Sequence, residues 1–251
     1  MKIEDITLEE LKKSKEYVFI ILGIVFLLSY LMIPFIGHGD IISSSVGLTS
    51  FVITIISFFL LLRLYGIKSK EGWVWLLFII GLIFMILSRI ADVSGHPLAY
   101  FILRLWAKPM LIIGLSLKLS ISGIDVNRNE KTLLAITFIG WWLLVFITSI
   151  MPMLYRGFDF QQDMFMVFAS TEVFALMLAC FIILSIKADG WFYFSVGVVM
   201  ISMGDILHLP AEEYGFVYPG TPITLFWYLG LLVTAYGAYN LRREYLKLIA
   251  L

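Results

Sequence analysis

The chain has 251 residues, 61% hydrophobic and 14% charged, with zero formal net charge and a mean hydropathy of +0.98. A soluble domain holds roughly 45–50% apolar and 25% charged residues and cannot hide this much apolar surface, so soluble, disordered and fibrous classes are excluded and the chain belongs in a bilayer. The balance of 18 basic and 18 acidic residues argues against a nucleic-acid or polyanion binder.

Residues 1–16 are rich in Glu and Lys and lack the apolar core of a signal peptide. Thr7-Leu8-Glu9-Glu10 has capping-box spacing, which predicts a short amphipathic helix on the cytoplasmic face. Residues 17–241 then form the membrane domain. A span needs roughly 20 apolar residues, and eight stretches qualify: Tyr17–Ile36, Val46–Tyr65, Trp73–Ala91, Tyr100–Leu117, Thr132–Met153, Met164–Ile186, Trp191–Leu209 and Ile223–Leu241. Breaks such as Gly37-His38-Gly39-Asp40 and Lys187-Ala188-Asp189-Gly190 separate them. Residues 242–251 form a short tail. The fold class is all-α: a polytopic bundle of eight transmembrane helices.

Orientation follows from basic residues in short loops. Fourteen of the 18 fall on the side that holds both termini, among them Lys12, Lys13, Arg63, Lys68, Lys118, Arg128, Arg242 and Arg243. The opposite loops hold Arg156 alone, and Arg89, Arg104 and Lys108 sit inside spans. Both termini are therefore expected in the cytoplasm of a cell whose plasma membrane holds the protein. Trp73, Trp75 and Trp191 fall at the cytoplasmic starts of their helices, as interfacial anchors should.

Small residues recur at four-residue spacing in the sixth span (Thr171, Ala175, Ala179) and the eighth (Gly230, Thr234, Ala238). Such faces permit close helix contact, either within the bundle or across a homodimer seam. The third and seventh spans also echo each other. Lys70-Glu71-Gly72-Trp73 leads to Ser88, Asp92, His96 and Pro97, while Lys187 to Trp191 leads to Ser202, Asp205, His208 and Pro210. That pattern suggests a 4+4 parallel repeat about an axis along the membrane normal.

The polar residues concentrate at the outer ends. His38, His96 and His208 close three spans, each near a carboxylate: Asp40, Asp92 and Asp205. Asp92 and His96 are spaced to share a helix face, as are Asp205 and His208. Glu212 and Glu213, with Tyr214 to Gly220, form an extended outer loop that could act as a lid. Deeper in, Lys108 and Glu172 each lie about 12 Å below the outer end of their spans, so the two can meet. An ionised group facing lipid near mid-bilayer costs about 3 kcal/mol or more, so Arg89, Arg104 and Lys108 should turn inward and pair with Asp92, Glu172 and Asp205. The inner halves of these spans carry no comparable charges. A polar cavity in the extracytoplasmic half of the bundle, between helices 3, 4, 6 and 7, is expected.

Three readings of that cavity follow. It is a salt-bridge lock that binds nothing. It is a binding site for a small polar or anionic ligand, in sensing or transport, with Arg104 and Lys108 as anchors. Or it is a site for zinc or another divalent metal, held by His38, His96 and His208 with carboxylates, whose bound water hydrolyses a lipid or amide. There is no HExxH pair, Gly-rich phosphate loop, dinucleotide fingerprint or GxSxG elbow. Cys180, the one cysteine, excludes an internal disulfide and lies away from all three histidines.

Gly204-Asp205-Ile206-Leu207, Tyr218-Pro219-Gly220-Thr221-Pro222 and Trp227-Tyr228-Leu229-Gly230, with Ala235, Gly237 and Ala238, cover about a quarter of the chain. This segment resembles the last two helices of prokaryotic seven- to eight-helix membrane sensory regions, which precede histidine-kinase or cyclic-dinucleotide output domains. The sequence departs from that pattern by ending about ten residues after the eighth span. The resemblance implies a stand-alone sensing module with a separate signalling partner. The chain is also faintly similar to membrane hydrolases of seven to eight helices that use Ser, Asp and His, but their spacing is not reproduced and no catalytic role carries over. Ligand binding leads, the metal-dependent hydrolase follows, and a structural subunit of a membrane complex is third.

Overall fold

In the computed structural model the described residues are 3–36, 38–123, 127–147, 151, 157, 160–186, 188–213 and 221–249. Among them are eight helices and no strand: α1 (Ile3–Ile36), α2 (Gly39–Tyr65), α3 (Lys70–Val93), α4 (Pro97–Ser122), α5 (Arg128–Val145), α6 (Phe160–Ser185), α7 (Asp189–Glu213) and α8 (Pro222–Ile249). Six of them (α1 to α4, α7 and α8) are long and apolar enough to cross a membrane, while α5 and α6 contribute shorter apolar stretches, Lys131–Gly140 and Ser170–Ser185.

Several boundaries differ from the sequence expectation. The separate amphipathic helix of residues 1–16 is absent as a unit: α1 runs on from Ile3 through the first span, because no Gly or Pro interrupts it before Gly23. Thr7 is therefore inside the helix, not at its cap. The second span begins at Gly39 rather than Val46, because the polar run Ser43-Ser44-Ser45 lowers hydropathy without breaking a helix. Parts of the fifth span (148–150, 152 and 153), Arg156, Lys187 and the outer loop Tyr214–Gly220 lie outside the described residues.

Turn chemistry is local. Gly66, at φ +75, turns the chain out of α2, and the Ser69 hydroxyl caps α3 by accepting from the Gly72 amide at 2.8 Å. Gly95, at φ +72, makes the turn between α3 and α4. We call this end of the bundle, with the α1–α2 and α3–α4 turns, the distal end, and that of the α2–α3 turn the proximal end.

The helices α2, α3, α4, α6, α7 and α8 pack in succession, and α8 returns to α2, so the six form a ring. Outside it, α1 lies against α2 and α8, and α5 lies against α6. The α7–α8 crossing is very close. A Cβ added at Gly197 would stand 2.5 Å from the Gly230 carbonyl oxygen, and one at Gly237 would stand 2.3 Å from the Phe194 amide nitrogen. The small residues of α8 thus serve packing within the bundle, as do Ala175 and Ala179 of α6, which are buried in the same core.

At the proximal end the ring is filled with aromatic side chains. Trp75 stacks on Trp191 with ring centres 5.3 Å apart, and Phe58, Phe78 and Phe194 pack around them. This corrects the reading of Trp75 and Trp191 as interfacial anchors. They are 0% and 4% exposed, because both point into the ring, and only Trp73 faces outward at 50%. Trp75→Ala should therefore cost about 3 kcal/mol or more in lost packing, whereas Trp73→Ala should leave thermal stability within about 0.5 kcal/mol. Melting curves of the two variants in one detergent check this. A second correction concerns charge. Lys118 lies inside α4, donates to Glu71 of α3 at 2.5 Å and holds its ammonium 4.7 Å from the Trp191 ring centre. The proximal half thus has its own ion pair, invisible to hydropathy because its members come from opposite ends of two helices.

Candidate functional site

Distally, the ring encloses a cavity of about 910 Å³, lined by α2, α3, α4, α7 and α8. Its α7 wall runs from Phe194 through Val198, Ile201 and Asp205 to His208, which at 1.5 Å per residue is about 21 Å along the helix. Most of this wall is apolar, and the polar groups gather in its distal half.

Arg104 and Lys108 lie one turn apart on α4 and share one carboxylate. Arg104 Nη2 donates to Asp205 Oδ1 at 2.8 Å, and Lys108 Nζ donates to Asp205 Oδ2 at 2.6 Å. Lys108 also forms an ion pair with Glu172 of α6. Arg104 donates from Nη1 to the Tyr100 hydroxyl, and its guanidinium sits 5.4 Å from the Phe168 ring centre. Lys108, Glu172 and Asp205 are 2%, 0% and 7% exposed. Four charges from three helices thus cancel inside an apolar bundle, where each alone would be costly. The Arg104 Nε is buried with no hydrogen-bond partner among the described residues. The guanidinium thus has a donor to spare.

Facing this cluster is a set of hydroxyls. Tyr30 donates to Ser43 at 3.0 Å and lies 2.8 Å from the Thr224 hydroxyl, and Ser43 is 3.4 Å from that of Tyr228. Ser43, Thr224 and Tyr228 line the cavity. The sequence reading missed this set. Its one signal was that Ser43, Gly47 and Phe51 recur at helical spacing, and Gly47 leaves the room that the Tyr228 ring fills, with a Cβ there meeting the ring at 2.8 Å.

The other expected site residues fall differently. Arg89 and Asp92 pair at 3.1 Å but remain 59% and 46% exposed at the cavity rim, not turned inward as expected, since they sit on the last turn of α3. Glu172 stands behind the wall, reached through Lys108. His96 does not share a helix face with Asp92, because α3 ends at Val93 and the turn at Gly95 intervenes. His38 and His96 are exposed just before α2 and α4, while His208 is half-buried with its ring 5.1 Å from that of Trp227. Among the described residues no three His, Cys, Asp or Glu side chains are grouped to hold a metal ion. Three lone histidines on separate helix ends have no fold-level reason to converge. Cys180 is half-buried, beside Val173 and Leu176 of its own helix.

No family model matches the chain, and neither a curated protein nor a solved structure was found to be similar to it.

Proposed function

We propose that the chain is an integral plasma-membrane protein crossing the bilayer eight times, with both termini cytoplasmic, and that its distal cavity binds a small polar or anionic ligand from the extracytoplasmic side, for sensing or transport. The observation that carries this reading is the cluster of Arg104, Lys108 and Asp205 built into the cavity wall, with Glu172 behind it. Ionisable groups at membrane depth are expensive, and a cavity of several hundred Å3 with a few convergent polar groups is the usual form of a ligand site. The buried Arg104 Nε, left without an acceptor, favours a ligand that brings one. The two closest helix pairings, α3 with α4 and α7 with α8, suit the 4+4 parallel repeat suggested by the two matching spans.

The test is thermal unfolding of the detergent-purified protein against a panel of small carboxylates and phosphates. A true ligand at a hundred times its Kd should stabilise the fold by about 2.7 kcal/mol. Arg104→Gln, which keeps the Lys108–Asp205 pair, should cut that gain to about half, as a tenfold weaker Kd requires. Equal stabilisation of wild type and Arg104→Gln, or none by any member of the panel, would reduce the cluster to a structural lock.

A further inference from the structure

The apolar packing between α2 and α3 changes along their length. Proximally, α2 and α3 share one apolar core, in which Phe58, Leu61 and Leu62 meet Val74, Trp75 and Phe78. Distally they part. Val46 of α2 packs with Tyr30 of α1 and Tyr228 of α8, whereas Ala91 of α3 packs with Tyr100 and Phe101 of α4 and Phe168 of α6. Leu48 of α2 and Ile90 of α3 line the cavity and are 62% and 56% exposed. Leu48 lies nine residues into α2, about 14 Å below its distal end, so in the proposed membrane placement this part of α2 meets hydrocarbon rather than water. Below the charged cluster the cavity carries no further charge. It continues past Leu82, Val198 and Leu231 to a floor of Phe58, Phe78 and Phe194, eleven residues or about 16 Å below Asp205 along α7.

From this we infer that the ligand is a single-chain anionic amphiphile of the bilayer itself, such as a medium-chain fatty acid, which enters sideways between the distal halves of α2 and α3. Its acidic head meets Arg104 and the hydroxyl of Ser43, and its tail lies on the apolar wall down to Phe78. The inference rests on the proposed anion-binding reading of the same cavity and names the ligand class for it. Charge and shape agree. Arg104 offers an unused donor, and the groove below holds only apolar side chains and small hydroxyls. Because lipid tails are as apolar as this groove, tail burial from the bilayer adds little free energy, and selection falls on the head and on chain length.

The experiment uses the full chain in phosphatidylcholine nanodiscs, with dodecanoate brominated near its carboxyl end as a quencher of Trp227, which lines the cavity beside Gly204 and His208, at the level of Asp205. Saturable quenching is expected, absent in Trp227→Phe and weakened about tenfold in Arg104→Gln, the loss of one charge-assisted contact. Arg104→Lys, which keeps the charge, should recover part of it. Leu48→Phe, a bulkier side chain at the proposed entrance that adds no tryptophan, should slow the onset of quenching without changing its extent at equilibrium. Non-saturable quenching unchanged by Trp227→Phe means that the probe only bathes the exterior, and overturns the inference. Displacement of the probe by acetate or inorganic phosphate as readily as by dodecanoate keeps the anion site and discards the amphiphile. Equal binding of brominated dodecanol discards the anion reading, and this inference with it.

Discussion

Asp205→Ala is expected to destabilise the protein by about 3–5 kcal/mol, the usual consequence of removing one member of a buried ion pair. Asp205 holds both Arg104 and Lys108, at 2.8 and 2.6 Å, and is itself 7% exposed. Without it, two cations share Glu172, which reaches only Lys108. The charges rather than the shape should carry the loss, so adding Lys108→Met to Asp205→Ala, which leaves Arg104 facing Glu172, should recover stability despite removing a second polar side chain. Thermal unfolding of the single and double variants in one detergent gives the coupling directly. Strict additivity of the two losses would mean that Lys108 and Asp205 do not act together.

The next largest effect belongs to a residue with no chemistry. Gly237→Leu should cost about 3 kcal/mol or more, because a Cβ there meets the Phe194 amide nitrogen at 2.3 Å and the Gly190 carbonyl oxygen at 2.7 Å, and backbone cannot move aside as a side chain can. Separating α7 from α8 would also shift Asp205 away from α4, so ligand-induced stabilisation should fall with fold stability. Gly140→Ala on α5 is the control. Its Cβ meets nothing within 4 Å, and Ala favours helix over Gly by about 1 kcal/mol, so this variant should melt at or above the wild-type temperature.

The helical architecture was legible because apolar stretches of span length leave few alternatives in a chain this hydrophobic. Boundaries were less so. The serine run at the start of α2 and the charged start of α1 read as polar, though both are helical, since hydropathy marks solvent and not backbone conformation. Tryptophan was misleading for a related reason. Trp73 and Trp75 are two residues apart, so on a helix they point to different sides, and only one of them faces outward.

The site was half legible. Depth counting brought Lys108 and Glu172 to one level, where the structure joins them, because rise per residue is constant along a helix. Depth alone left Arg104 and Asp205 unassigned to each other. It also left Arg89 and Asp92 looking inward, although the last turn of α3 holds them at the rim. The hydroxyl set of Tyr30, Ser43, Thr224 and Tyr228 joins the first two helices to the last, and no single-sequence pattern connects them.

By itself, then, the sequence determined that this is an all-helical protein with spans of membrane length, and that a few charges lie within them. Among those charges the balance is local: Arg104 and Lys108 against Asp205 and Glu172. Only the tertiary structure decided which partners meet, that six helices close into a ring, and that the distal apolar residues of α2 and α3 fall in separate clusters. The physical reason is that hydropathy and helical rise are properties of one helix at a time. Rotation about the helix axis, and the close approach allowed by Gly197, Gly230 and Gly237, belong to pairs of helices.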